Sequence, residues 1–130
     1  MVTNDSDKPY RLTFEHRPEY LYAYVEGDED SYEISATYWR EIAEECRANK
    51  YTRVLIVEDI VESGTMADAY QLSSELPQMG YMGIKVAFVD KYIEQQDLNQ
   101  FGELVAVNRG INGKIFNDVD EAEKWLLVGN

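Results

Sequence analysis

Glu58, Asp59, Glu62, Ser63, Gly64 and Thr65 follow closely on an apolar run in the stretch VLIVEDIVESGTM, residues 54–66. Paired carboxylates behind a strand can accept hydrogen bonds from sugar hydroxyls or bind a divalent cation through oxygen. A small-residue turn that opens a helix can offer backbone N–H groups to an anion. The same turn can instead be a surface that another protein reads, or simply a solvated acidic loop that caps a helix. A second set of candidates is Tyr20, Tyr22 and Tyr24, which alternate along one strand face. They would floor a pocket, meet a partner, or lie packed under helices. Tyr38, Tyr70, Tyr81 and Tyr92 add to the tyrosine load, with no sign in the sequence of where they converge. His16 is the only histidine, so a histidine-based metal site is not expected. Cys46 reads as a small core residue, and a lone cysteine excludes an internal disulfide and a cysteine-based zinc site.

The elements that position these residues come from pattern. A chain of 130 residues with 45% hydrophobic content fits one domain with one core. Residues 1–10 read as a flexible polar tail and 11–130 as the domain. RLTFEH (11–16) and YLYAYVEG (20–27) are strands around the turn at Pro18, and GDEDS breaks the pattern. SATYWREIAEECRANK holds a helix with Ser35 as its N-cap and Trp39, Ile42, Ala43 and Cys46 facing inward. RVLIVEDI is a central strand buried on both faces. Residues 66–79 form a second helix, with Ala69, Leu72, Ser73 and Leu76 inward and Pro77 and Gly80 ending or kinking it. GIKVAFV is the next strand. DLNQFGELVAVNRG is a helix with Phe101, Leu104 and Val105 inward and Gly110 as its stop. GKIF is a short strand. A last helix starts at Asp118, paired with Glu121 in a capping-box pattern, and buries Ala122, Trp125 and Leu126.

The order is β-β-α-β-α-β-α-β-α. It predicts an α/β fold with a single mixed sheet of about five strands: an opening hairpin, then parallel strands joined by right-handed crossovers, with about four helices. Residues 54–57 and 86–89 should be adjacent, parallel and buried. Ligands and regulatory groups then meet the loops at the carboxyl ends of the strands, where residues 58–65 lie.

Charge narrows the function. A net charge of −13 argues against nucleic acid and anionic membranes as partners and fits a basic protein surface. No apolar run approaches the ~20 residues of a membrane span. The polar N-terminus lacks a signal peptide's apolar segment, so a cytoplasmic protein is expected.

Two resemblances follow from these residues. VLIVEDIVESGTM resembles the sugar-phosphate segment of the phosphoribosyltransferases, which implies Glu58 and Asp59 on the ribose and residues 63–65 around the phosphate. Thr65 follows Gly64 directly where that family has one more residue, only about fifty residues precede the strand, and no Lys or Arg in the loop offsets Glu62. The second resemblance spans residues 11–127. YAYVEG, RVLIVEDI and GKIFNDVDEAEKWL are similar to the hairpin, central strand and terminal strand-helix of the STAS domain, in its SpoIIAA-like branch. That resemblance implies a non-catalytic regulatory module without cofactor, read by a protein partner such as an anti-sigma-like kinase at a loop comprising Asp59, Glu62, Ser63, Gly64 and Thr65. It also leaves open a homodimer, or a domain holding an apolar or nucleotide ligand over Tyr20, Tyr22 and Tyr24. The family's phosphorylated serine matches Glu62, its second serine Ser63 and its aspartate Val61. The resemblance therefore puts either a fixed charge at Glu62 in place of the phosphoswitch, or a glutamate that only caps the following helix through its dipole.

Overall fold

Alternating apolar residues build the opening hairpin: β1 (Tyr10–His16) and β2 (Leu21–Glu29) pair antiparallel, with Tyr10 opposite Gly27 and His16 opposite Leu21. The computed structural model describes residues 8–62 and 64–129, and of Glu62 the backbone alone. Residues 1–7 of the expected tail and Ser63 lie outside the described residues, while Tyr10 of that tail belongs to β1. The chain continues through α1 (Tyr32–Ala48), β3 (Arg53–Glu62), α2 (Met66–Leu76), β4 (Lys85–Asp90), α3 (Gln96–Asn108), β5 (Asn112–Phe116) and α4 (Val119–Leu127). This is the expected order. The five strands form one sheet in the order β1-β2-β3-β4-β5, parallel from β2 onward. Val54 lies opposite Val86 and Val57 opposite Val89, as the two apolar runs predict.

The period-2 alternation of the strands divides the core between two faces. Leu21, Ala23, Val25, Val54 and Ile56 pack on one face against Trp39, Ile42 and Cys46 of α1, Leu76 of α2 and Ala106 of α3. Leu55, Val57, Ala87 and Val89 pack on the other against Ala122 and Leu126 of α4. Three helices thus cover one face and a single helix the other. Cys46 is fully enclosed, and burial pushes its thiol up to about 12, which suits a core residue rather than a nucleophile. No helix among the described residues is long and apolar enough to cross a membrane.

Four local details differ from the sequence reading. The α1 N-cap is Ser31, whose hydroxyl accepts from Ile34 N at 3.3 Å; Ser35 lies inside the helix, buried, because Asp30 gives its hydroxyl a partner there. β2 runs on through Gly27 to Glu29, held by its pairing with β3. The second helix ends at Leu76 and passes into a five-residue π turn, Pro77–Tyr81, in which Gly80 has φ of 106°. That angle is open to glycine and strained for other residues. In α3, Leu104 faces out and Val105 and Ala106 face in. The helix leans on α2 through Gly102, where an added Cβ would stand 3.1 Å from Ser73 Oγ, and this close approach turns Leu104 away from the sheet.

Candidate functional site

Parallel register brings acidic residues together at one end of the sheet. Glu58 of β3 lies opposite Asp90, the last residue of β4. Both apolar runs end on an acid, and aligning the strands puts those acids side by side. The strand's alternation aims Glu58 at the three-helix face, under α1. There the Tyr38 hydroxyl, fully buried, donates to Glu58 Oε2 at 2.5 Å and lies 3.2 Å from Asp30 Oδ2. Asp30 sits in the turn between β2 and α1 and accepts from Ser31 N at 2.8 Å and from Ser35 Oγ at 2.7 Å. Asp90 accepts from Tyr92 N at 2.9 Å and from Asn99 Nδ2 at 2.7 Å.

Three carboxyls drawn from water into one cluster resist ionisation. Burial raises the Glu58 carboxyl well above its ordinary range, and the neighbouring Asp30 and Asp90 raise it further. Burial likewise raises Asp30, against the lowering effect of the donors from Ser35 and Ser31. Asp90 is raised by burial and held back by Asn99 and Tyr92 N. The Tyr38 hydroxyl is pushed far up by burial and by both acids, so it stays a donor. Two or more charges here would repel with little solvent screening, so the cluster retains protons where isolated carboxyls would not.

A pocket of about 90 Å³ opens beside this cluster, lined by Asp30, Glu58, Gly64, Thr65, Asp68, Gln95 and Asn99 among others, with Trp39 and Phe88 as its apolar wall. Those two rings are stacked, 5.9 Å between centroids. Thr65 is the N-cap of α2: its hydroxyl accepts from Asp68 N, and the Asp68 carboxylate accepts from Thr65 N, both at 3.1 Å. The fold therefore brings Gly64 and Thr65, singled out from the sequence, against Glu58. The side chains of Glu62 and Ser63 lie outside the described residues.

Asp59 goes the other way. It points to the α4 face and accepts from the Tyr24 hydroxyl at 2.5 Å. The acidic pair Glu58–Asp59 is thus divided between the two faces of the sheet. Tyr20 is buried, bonded to Glu123 of α4 at 2.7 Å and to Arg17 at 2.5 Å. Tyr22 and Tyr24 are half-buried and line a shallow groove beside Lys91 and the start of α4, while the Arg17 guanidinium stacks 4.4 Å from the Tyr22 ring. The tyrosines do share one face, but Tyr20 is absorbed by packing. Tyr38, passed over as one tyrosine of several, is the one inside the acidic cluster. His16, at the end of β1, is bonded to Glu45 at 2.6 Å and stacks on Tyr51. Among the described residues, no group of three His, Cys, Asp or Glu is arranged to hold a metal.

No protein-family model matches the chain, and a search of curated proteins finds no match. Among solved structures, it is similar to an uncharacterized protein from the DUF3478 family with a SpoIIAA-like fold, from Shewanella loihica PV-4. The two share 16% sequence identity and superpose with a TM-score of 0.52 over 97% of this chain and 98% of the other. The sequence identity is low, and the likeness is one of fold.

Proposed function

We propose that this SpoIIAA-like α/β domain is a non-catalytic binding module that engages a protein partner at the carboxyl end of its central strand. The observation that carries this reading is a rim of open apolar side chains around the loop after β3. Val61, Met66 and Ile93 are 55%, 51% and 64% exposed. Apolar groups gathered beside a loop at a strand's carboxyl end suit a contact surface. Gln95 ties two parts of the rim together: its amide donates to the Ile60 and Val61 carbonyls from the end of the turn that carries Ile93. Glu94, next to Ile93, and the chain's net charge of −13 suit a basic partner with an apolar centre. With Glu62 at the position that resembles the family's phosphorylated serine, the charge there is permanent.

The test is affinity capture from the native cell, followed by measured binding of the captured protein. Met66→Glu and Ile93→Glu should each weaken that binding by about tenfold or more, since they put charge into an apolar contact. Glu62→Lys should reverse the local field and do the same, and Ser63→Ala should leave binding intact. Val128→Glu, at the opposite end of the sheet, is the control. A partner whose affinity ignores all three rim changes would refute the reading.

The same reading predicts no saturable binding of phosphoribosyl pyrophosphate. The loop lacks the family's spacing, Glu58 and Asp59 are each engaged by a tyrosine on opposite faces of the sheet, and Asp68 opposes a phosphate at the turn. Calorimetric titration with Mg²⁺ present is the check. Micromolar affinity that disappears in Asp59→Asn would overturn the non-catalytic reading.

A further inference from the structure

The pocket beside Glu58 has a surplus of acceptors. Each helix start around it already has its own acidic or hydroxyl partner. Ser31 and Asp30 occupy the α1 start, Thr65 and Asp68 the α2 start, and Asp90 accepts from Tyr92 N ahead of the turn into α3. Glu58 serves no helix start. It is a strand carboxyl only 7% exposed, with its edge on the pocket.

The amides narrow the ligand further. Gln95 Nε2 is consumed by the Ile60 and Val61 carbonyls, and Asn99 Nδ2 by Asp90. This fixes which end of each amide is the oxygen. Neither amide oxygen has a hydrogen-bond partner among the described residues, where no fully enclosed side-chain N or O is unsatisfied. Gln95, only 5% exposed, lines this pocket. Ser73, 8% exposed and also lining the pocket, has a hydroxyl with no partner among the described residues. A ligand here must bring donors. No Lys, Arg or His lines the pocket among the described residues, so a positively charged ligand would meet no like charge there. The stacked Trp39 and Phe88 offer the aromatic wall that organic cations prefer. The volume has room for a head group, not for a nucleotide.

We propose that this pocket binds the head of a small organic cation, an alkylammonium or guanidinium group, with Glu58 and Asp30 as its anionic partners and Gln95 Oε1 accepting beside them. The head can belong to a free amine or to a lysine or arginine side chain. The site is set back from the exposed rim and does not require that a rim partner exist. Entry of the cation stabilises ionised carboxylate and expels a proton from the cluster. Facing Glu58 are Tyr38 from α1, Asp30 from the β2–α1 turn and Asp90 from β4, with Asp68 across the pocket and Glu94 beyond Asp90. None of these compensates the charge, so binding should tighten as pH rises and should release protons.

The experiment titrates the full chain with methylguanidinium and with propylammonium, near pH 6 and near pH 8, by calorimetry and by amide resonance shifts. Saturable shifts at Thr65, Ser73 and Gln95, a heat that varies with buffer ionisation enthalpy, and tighter binding at the higher pH are expected. Glu58→Gln and Asp30→Asn should each weaken binding about tenfold or more. Inorganic phosphate and Mg²⁺ should give no such shifts. Acetyl-arginine and acetyl-lysine amides that bind as tightly as the free cations would assign the head to a protein side chain; much weaker binding would assign it to a free amine. If either variant fails to fold, the wild-type pH dependence and buffer-dependent heat decide. The proposal is overturned if no cation saturates, if phosphate displaces the cation, if affinity does not change with pH, or if folded Glu58→Gln binds as well as wild type. Cation binding with no rim partner would leave this site standing and remove only the reading above.

Discussion

Replacing Leu126 with alanine should lower the unfolding free energy by about 2–5 kcal/mol, the usual cost of a large-to-small change where neighbours cannot collapse into the gap. Leu126 is fully buried and, with Ala122, seals Leu55, Val57, Ala87 and Val89 from water. No second helix on that face can shift to fill the void. The C-terminal end of α4 is pinned separately: Lys85 Nζ donates to the carbonyls of Trp125 and Val128, both at 2.7 Å, and Arg53 donates to the Gly129 carbonyl. The loss should therefore be localised. Urea unfolding should give the magnitude, and hydrogen exchange should show α4 amides losing protection well before those of α1. A cost below about 1 kcal/mol, or protection lost evenly across the chain, would mean that α4 is not the closure of that face.

Glu58→Gln should stabilise the protein at pH 8, by about 1–3 kcal/mol, because it removes a charge held among other acids away from water and keeps the shape. The wild-type pH profile should run opposite to the common one. Glu58, Asp30 and Asp90 have folded-state affinities for protons raised above those of the unfolded chain. Their contribution is fully present below the ordinary carboxyl range. It is lost as pH rises through their raised folded-state values, because there the folded state binds more protons than the unfolded one. Urea midpoints near pH 5, 6.5 and 8 should fall in that order for wild type and flatten in Glu58→Gln. A wild-type midpoint that rises across this range, with a destabilised variant, would sink the account. An exposed pair such as Arg17–Glu15 contributes too little to mask the trend.

How much of this could be read from the sequence depends on the range of the interaction. Element order and strand neighbours were legible because apolar runs such as 54–57 and 86–89 carry their own burial signal. The α4 start was legible because Asp118 and Glu121 N form a cap three residues apart. The α1 start was misread because Ser31 and Ser35 are both capping types one turn apart, and only Asp30, bonding the Ser35 hydroxyl, decides between them. The inward face of α3 was misplaced because its rotation is set by contact with α2, which no periodicity within α3 reveals. Of the residues that line the pocket, Gly64 and Thr65 stood out in the sequence through their place in the loop after β3. The partition of Glu58 and Asp59 to opposite faces follows from strand alternation and was available to reading. Tyr38, Asp90, Gln95 and Asn99 join Glu58 only through tertiary packing. The one sequence trace of that meeting is that two apolar runs in register are each followed by an acid.

The strand order that follows the chain has a consequence for synthesis. Every strand pairs with the one made just before it, so the sheet can grow outward from its hairpin by closing one short crossover at a time. Each new helix is laid on the same face as the last. Over that whole period, Leu55, Val57, Ala87 and Val89 have no cover, because the helix that shields them is made after the fifth strand. A nascent chain halted before Val119 would present a nearly finished sheet with one apolar side bare, a form that invites chaperones or self-association. Emergence of the nine residues from Val119 to Leu127 ends that vulnerability in a single step.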